Sequence, residues 1–236
     1  MTPEILYEDN HCLGLSKPAG MLSQGDETGD PSLVSWTEDY WRRKYDKPGN
    51  VYVGLVHRLD RPTSGVVLLA RTSKAAGRLA DQFRKGTVRK LYWAIVEGRP
   101  GEESGEWSDR LEKDRVANRV RVADEDEPEG KAAHVAYRVV WAANGLAKLE
   151  LRPSTGRSHQ LRVQLASRGL PILGDRKYGS KRLLRALDGE PRVALHAREL
   201  TFTHPTKGEE VRIEAPVQAD WPETWRPGTS GAPRVP

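Results

Sequence analysis

The chain has 236 residues, enough to bury a substantial core as one large domain or two small ones, and its 37% hydrophobic residues together with 22 glycines fall in the range of globular proteins. A single cysteine, Cys12, excludes an intrachain disulfide and a cysteine-rich zinc site. The net charge of +5 is too small to identify a partner, and without a secretory signal or an apolar run of membrane-spanning length we expect a cytoplasmic protein with no membrane partner.

Strands and one helix are predicted in the first seventy residues. Residues 5–7 and 12–15 read as strands joined by a turn at Asp9 and Asn10, and residues 32–44 have the apolar spacing of a helix. The inward face of that helix consists of Leu33, Trp36, Tyr40 and Trp41. Apolar strands are then predicted at 51–56 and 65–70, and the segment between them is the loop that carries Asp60.

Two further helices alternate with strands in the rest of the chain. The predicted helices are 74–85, with Ser73 as N-cap and Gly86 as its end, and 158–168, ended by Gly169. The predicted strands are 88–97, the hairpin 135–142 and 147–151, and the hairpin 195–203 and 211–214. Tight turns between neighbouring strands indicate an α+β fold with a mixed, mostly antiparallel sheet, whose helices and loops flank a central cleft.

We expect one catalytic domain over residues 1–216 and a mobile tail over 217–236, where prolines replace apolar periodicity. Positive charge is concentrated in two segments. Residues 71–90 carry seven Lys and Arg against Asp81 alone, and residues 176–185 carry five. Such runs suit a polyanion such as RNA, although a basic run is also common on a solvated surface.

Asp60 follows a buried strand and is flanked by Arg58 and Arg61. An aspartate before a Pro-Thr-Ser-Gly turn can order the loop as an Asx turn. It can equally be a carboxylate held ionised by guanidinium groups in a cleft, able to act as nucleophile or base. The local sequence leaves both interpretations open.

A second candidate segment, residues 155–162, reads Thr-Gly-Arg-Ser-His-Gln-Leu-Arg at the start of the predicted helix. A helix start with basic neighbours suits a phosphate or a carboxylate. The alternative is a solvated helix start in which His159 is a structural, hydrogen-bonded residue.

Together, residues 57–60 (His-Arg-Leu-Asp) and 155–162 resemble the RluA-type pseudouridine synthase family, in which two such segments form the halves of one active site. The likeness covers about residues 5 to 216. It continues at 5–9, 17–20, 90–92, 174–175, 178–179, 195–197 and 203–205. Gln164 and Leu170 depart from it, since many relatives carry histidines there.

The resemblance implies that Asp60 is the catalytic aspartate, that Tyr92 packs against the target base, and that Arg162 pairs with the aspartate. From its position alone, in an apolar strand, Tyr92 would be a core residue. The resemblance also suggests that Arg58 fills the space left by the extruded uridine. Further RNA contacts are expected from His57, Arg58, Arg61, Lys74, Arg78, Arg157 and His159.

The sequence therefore predicts a pseudouridine synthase that isomerises uridine in structured RNA, as a monomer and without a cofactor or metal. The RNA is ribosomal or transfer RNA, with ribosomal RNA preferred. Two alternatives remain at this point. One is a non-catalytic RNA-binding or ribosome-assembly protein on the same scaffold, and the other is a hydrolase that uses Asp60 to release free base.

Overall fold

The computed structural model of the chain describes residues 1–46, 48–114, 119–124, 127–186, 189–217, 219 and 221–222. Its elements in chain order are β1 (Glu4–Glu8), β2 (Cys12–Lys17), α1 (Leu33–Lys44), β3 (Gly54–Leu55), β4 (Ser64–Ala70), α2 (Ser73–Lys85), β5 (Arg89–Glu97), β6 (Ser104–Asp114), β7 (Arg119–Val122), β8 (Lys131–Ala143), β9 (Leu146–Pro153), α3 (Gln160–Ala166), a 3₁₀ helix (Arg176–Tyr178), β10 (Leu195–Thr203) and β11 (Glu210–Glu214).

All eleven strands belong to one sheet, with the order β1-β2-β4-β10-β5-β9-β8-β6-β7, while β3 pairs with β4 and β11 with β10. The pairing of β4 with β10 is parallel, and the other pairings between these strands are antiparallel. The predicted α+β class with a mixed, mostly antiparallel sheet is therefore confirmed.

Two strands, β6 and β7, were not predicted. Along β6 only Leu111 is buried, and charged or polar side chains occupy most other positions, so the sequence has no run of alternating apolar residues there. The strand is held by its pairing with β8 over eight residue pairs, from Ser104 to Leu111. Backbone hydrogen bonding to a neighbour thus forms a strand that side-chain pattern alone does not reveal.

Several predicted boundaries are wrong, among them the start of β8, which lies at Lys131 and not at residue 135. The strand expected at 51–56 is reduced to β3, and the cap of α2 is Thr72 rather than Ser73, because the Thr72 hydroxyl accepts from the backbone N–H of Ala75 at 3.2 Å. Helix α3 is shorter than 158–168 because His159, directly before it, has a left-handed backbone with φ of 51°.

Among the described residues, none of the helices combines the length and apolar character that a membrane crossing requires. The predicted mobile tail lies almost wholly outside the described residues, so its mobility stays a prediction. Trp221, which is described, is 3% exposed and packs against the ring of His196.

Gly65 lets β4 and β10 approach closely in the middle of the sheet. Its φ is +115°, and a Cβ at this position would lie 2.2 Å from the carbonyl oxygen of Ala197. The backbones of Gly65 and Ala197 are paired in the sheet, so neither can move away from the other without a large cost in free energy. A side chain at position 65 would separate the strand that follows the Asp60 loop from the strand beside it.

We therefore expect Gly65→Ala to lower the free energy of unfolding by at least about 2 kcal/mol, because it combines a forbidden backbone angle with a backbone clash. Gly77→Ala in α2 is the matched control, since a Cβ there meets no atom within 4 Å. It should stabilise the protein by about 0.5–1 kcal/mol. Urea unfolding of both variants measures the difference, and equal stabilities would contradict this account.

Candidate active site

Four neighbouring strands place the predicted catalytic residues around one cleft. Tyr92 on β5 lies opposite Ala197 on one side and Leu151 on the other, and Ala197 lies opposite Gly65. The loop before β4 and the segment after β9 meet above this row, where they enclose a cleft of about 670 Å³. Asp60, Tyr92 and Arg162 all line it, although 102 positions separate the first from the last.

The backbone of the Asp60 loop is fixed on both sides of the aspartate. Ahead of it, the Ser23 hydroxyl donates to the carbonyl of Leu59 at 2.7 Å, and the Leu59 N–H lies 3.1 Å from the same hydroxyl. Behind it, the N–H of Thr63 donates to the carbonyl of Asp60 at 3.0 Å. The carboxylate therefore projects from a rigid loop, as a catalytic group requires.

A buried lysine, Lys17, ties this loop to the segment that follows β2. Its ammonium donates to the carbonyls of Met21 at 2.8 Å and Arg61 at 3.2 Å, and Gly20 N–H donates to the same Arg61 carbonyl at 2.8 Å. Burial lowers the pKa of Lys17 to about 7, and the negative charge of Asp60 acts in the opposite direction. The Lys-Pro-Ala-Gly segment noted in the sequence thus supports the loop that carries the aspartate.

Arg162 joins two carboxylates. Its Nε and Nη2 bind the two oxygens of Asp175 at 2.7 and 2.9 Å, and its Nη1 donates to Oδ2 of Asp60 at 2.9 Å. The side chain of Asp175 is 1% exposed and that of Asp60 is 25% exposed. Asp175 therefore anchors the guanidinium from behind, while Asp60 keeps one side open to the cleft.

The charge of Arg162 is secure in this position. Burial alone would lower its pKa, but the hydrogen bonds and charges of Asp175 and Asp60 outweigh that effect and raise it. The guanidinium is buried and hydrogen-bonded to a carboxylate on two sides. It cannot rotate without leaving one of these carboxylates unpaired. The pairing of Arg162 with Asp60 is therefore built into the fold before any substrate arrives.

His159 completes the wall of the cleft next to Asp60. Its Nε2 lies 3.9 Å from Oδ2 of Asp60, and its Nδ1 lies 2.6 Å from the hydroxyl of Tyr178. Burial lowers the pKa of His159, and the charges of Arg162 and Lys177 lower it further against those of Asp60 and Asp175. The imidazole is therefore favoured in its neutral form at physiological pH.

Tyr92 and Lys90 present two side chains from β5 to the cleft. Burial, followed by the charge of Asp60, raises the pKa of Tyr92, so its hydroxyl stays protonated. Burial lowers the pKa of Lys90 to about 8, and its ammonium donates to the carbonyl of Thr155 at 2.8 Å. Lys90 thereby ties β5 to the 155–158 turn.

The same turn is held from inside by the buried Gln160. Its carbonyl oxygen accepts from the Thr155 hydroxyl at 2.8 Å and from the N–H of Arg157 at 3.1 Å. Its amide donates to the backbone of His134 at 3.1 Å. The motif that the sequence presented as a basic helix start is thus a rigid turn followed by α3, with Arg157 on its exposed side.

The lining of the cleft is strongly basic. Among the described residues that line it, Asp60 is the acidic one, and the cationic ones are Arg58, Arg84, Lys85, Lys90, Arg157 and Arg162. Arg58 and Arg157 are exposed. A cleft with this charge attracts the phosphates of a nucleic acid.

The other residues expected to contact RNA either lie outside the cleft or have side chains that bind other protein groups. His57 is stacked on Phe83 and accepts from the N–H of Leu68 at 2.9 Å, and burial lowers its pKa to about 3. Arg61 pairs with Asp30 at 2.8 Å.

Lys74 and Arg78 lie in the first half of α2, away from the residues that line the cleft, and Arg78 donates to the carbonyl of Pro205 at 2.6 Å. The end of α2 that reaches the cleft carries Arg84 and Lys85 instead.

Outside the cleft, Asp9, Cys12 and His204 place their side-chain atoms within 4.8 Å of one another. Oδ2 of Asp9 accepts from Nε2 of His204 at 2.6 Å, and Oδ1 accepts from the N–H of Cys12 at 2.8 Å. Burial raises the pKa of the Cys12 thiol to about 12, so a metal-binding thiolate is disfavoured. These contacts fasten the β1–β2 turn to the turn after β10.

Comparison with known proteins identifies what the chain resembles. The profile of the RNA pseudouridylate synthase family matches residues 11–167. The dual-specificity RNA pseudouridine synthase RluA of Escherichia coli (strain K12) is 38% identical in an alignment of 225 positions, which covers 90% of this chain and 92% of the relative. The ribosomal large subunit pseudouridine synthase D of Zymomonas mobilis is 36% identical in an alignment of 224 positions, which covers 92% of this chain and 70% of the relative.

Among solved structures, human RNA pseudouridylate synthase domain containing 4 superimposes with a TM-score of 0.75 at 26% identity, covering 92% of this chain and 89% of that one. Human RNA pseudouridylate synthase domain containing 1 superimposes with a TM-score of 0.71 at 25% identity, covering 93% of this chain and 88% of that one. The likeness thus extends over nearly the whole of the described fold.

Proposed function

This chain belongs to the RNA pseudouridylate synthase family, and from that premise we propose that Asp60 is the residue with which it converts uridine to pseudouridine in RNA. The observation that carries the proposal is the pair formed by Asp60 and Arg162, which joins the two motifs at 2.9 Å in a basic cleft. A structural Asx turn would need neither the buried arginine nor the open cleft.

The reaction breaks the bond between ribose C1′ and uracil N1, turns the base and joins C1′ to C5. C5 then loses its proton, and N1 takes up a proton from solvent. No atom is gained or lost overall. A carboxylate is suited to this sequence, since it can attack the sugar or the base, or take a proton from the sugar, and leave again at the end. Asp60 supplies that carboxylate, and the hydrogen bond from Arg162 holds it oriented.

Tyr92 offers a flat ring to the uracil and a protonated hydroxyl beside Asp60. The target uridine must leave its stack to reach them, at a cost of about a few kcal/mol that is smallest where the RNA is already unpaired. We infer that Arg58, which is exposed in the cleft lining, occupies the vacated space. We infer also that Arg84, Lys85 and Arg157, which line the cleft, bind the phosphates on either side.

For the target, we infer ribosomal RNA. The support is a relative of 36% identity whose name is ribosomal large subunit pseudouridine synthase D, together with the cations that line the cleft and suit RNA phosphates. The cytoplasmic location and the monomeric state expected from the sequence remain predictions, which fractionation and light scattering would check.

The test uses purified protein, EDTA, and unmodified transcripts of large-subunit ribosomal RNA and of transfer RNAs, each labelled with tritium at uracil C5. We expect tritium release from ribosomal RNA at a rate at least about tenfold higher than from transfer RNA, if ribosomal RNA is the target. Higher release from transfer RNA would overturn the target, and no release from either would overturn the proposed function. Free uracil in the products would instead identify a hydrolase.

A further inference from the structure

Tyr178 and His159 form a hydrogen-bond chain that ends in the cleft. The chain begins at the backbone N–H of Val120 on β7, which donates to the Tyr178 hydroxyl at 3.0 Å. The same hydroxyl lies 2.6 Å from Nδ1 of His159, and the side chain of His159 lines the cleft with 14% of its surface exposed. Three segments distant in sequence are thereby connected to the site.

The direction of these hydrogen bonds follows from which groups carry protons. The backbone N–H of Val120 can only donate, so the Tyr178 oxygen accepts there. Burial raises the pKa of Tyr178, so the hydroxyl keeps its one proton, and within the described residues Nδ1 of His159 is the acceptor placed to receive it. Nδ1 is then unprotonated, and a neutral imidazole must carry its proton on Nε2.

That Nε2–H faces the reacting centre and has no acceptor of its own there. Asp60 Oδ2 is 3.9 Å away, beyond hydrogen-bond reach, and the described residues place no other acceptor within range of Nε2. A ligand bound in the cleft can therefore accept a hydrogen bond from Nε2–H without displacing a protein partner. The open side of the imidazole is the cleft itself.

We propose that Tyr178 is a positioning residue that holds His159 in its Nε2–H tautomer, so that His159 offers a neutral donor to a carbonyl oxygen of the uracil bound beside Asp60. The inference rests on the proposed function. Negative charge develops on the uracil oxygens when the bond to ribose breaks, and a fixed donor stabilises it. A neutral imidazole does so without pairing with the carboxylate of Asp60, as a charged one would.

The backbone of His159 provides a discriminating pair of variants. Its φ of 51° lies in the left-handed region, which asparagine tolerates far better than glutamine. In contrast, the amide nitrogen of glutamine reaches the position of Nε2, whereas that of asparagine reaches only as far as Nδ1. If the donor matters, His159→Gln should retain more activity than His159→Asn. If only the backbone matters, the order is reversed.

The experiment measures kcat and KM by tritium release for both His159 variants, for Tyr178→Phe and for Tyr7→Phe. The last is a control that removes a tyrosine hydroxyl bonded to Asp9, outside the cleft. We expect kcat to fall about tenfold in Tyr178→Phe with KM within about twofold, and about tenfold further in His159→Asn than in His159→Gln. Tyr7→Phe should match the wild type.

Two-bond ¹H–¹⁵N NMR spectra of ring-labelled protein read the tautomer directly, independently of activity. The wild type should carry the His159 proton on Nε2, and Tyr178→Phe should show a mixture. A proton on Nδ1 in the wild type, or greater activity in His159→Asn than in His159→Gln, would overturn the inference. Wild-type protein that forms no pseudouridine would contradict the proposed function instead, while the NMR result still stands.

Discussion

Replacing Asp60 with asparagine is expected to slow pseudouridine formation by at least about 10⁴-fold, the scale observed when a residue that takes part in the chemical step is removed. Asparagine fills the same volume and can still accept a hydrogen bond from Arg162, so the loop should keep its position. What disappears is the negative charge and the ability to attack or to take a proton. Single-turnover release of tritium from C5-labelled RNA measures this loss.

Folding and RNA binding serve as controls for Asp60→Asn. The side chain of Asp60 is 25% exposed and the loop is held by its backbone, so the midpoint of thermal unfolding should change little. RNA affinity at fixed salt should stay within about twofold, since phosphate contacts dominate it. Activity within tenfold of the wild type would show that another group performs the chemistry.

Arg162→Met is expected to damage both stability and catalysis. It leaves Asp175 as a fully buried charge without its partner, which costs about 3–5 kcal/mol of unfolding free energy. It also releases Asp60, which should lower the rate by about 10²–10³-fold. Arg168→Met is the matched control, because Arg168 forms a similar two-oxygen pair with Asp109, outside the cleft, at 3.0 and 3.1 Å.

A second substitution separates the two effects of Arg162→Met. Adding Asp175→Asn removes the uncompensated charge, so urea unfolding of the double variant should show most of the lost stability restored. The rate should not recover, because Asp60 still lacks its guanidinium. Recovery of activity together with stability would mean that Arg162 serves the fold alone.

The fold class was accessible from the sequence because β-rich runs are separated by turn residues. The hairpin around Asn144 and Gly145 shows this well, since both have the positive φ that such a turn demands. Strand β6 was not accessible, because its mostly polar side chains show no apolar alternation and its pairing with β8 is a property of the backbone. Strand β7, Arg-Val-Arg-Val, alternates over four residues only, which is too short a pattern to predict a strand. The positive φ of His159 could not be predicted either, because the apolar spacing of residues 158–168 indicates a helix that includes it.

Within the candidate site, the three central residues were identified by resemblance and meet in the structure, while their catalytic roles remain proposals. The residues behind them had no assigned role. Asp175 and Tyr178 belong to strings that were noted only as family features, and nothing in their spacing indicates that they reach Arg162 and His159. The contacts of Asp175 with Arg162 and of Tyr178 with His159 depend on how the segment after α3 packs against that helix.

The basic helix illustrates a different limit. Helical periodicity separates an apolar face from a polar one, and Lys74 and Arg78 fall on the polar side. Periodicity does not indicate which end of the helix approaches the cleft, and in the structure that end carries Arg84 and Lys85. Comparing the salt dependence of RNA binding for variants at the two ends would show which cations contact phosphate.

The central claim is that this chain makes pseudouridine in RNA through Asp60, and mapping in cells tests it most directly. Pseudouridines in total RNA are compared between the parent strain, a strain lacking the gene, and that strain carrying either wild-type protein or Asp60→Asn at equal abundance. We predict that at least one pseudouridine disappears on deletion, returns with the wild type and stays absent with Asp60→Asn. Restoration by Asp60→Asn, or an unchanged map after deletion, would contradict the account.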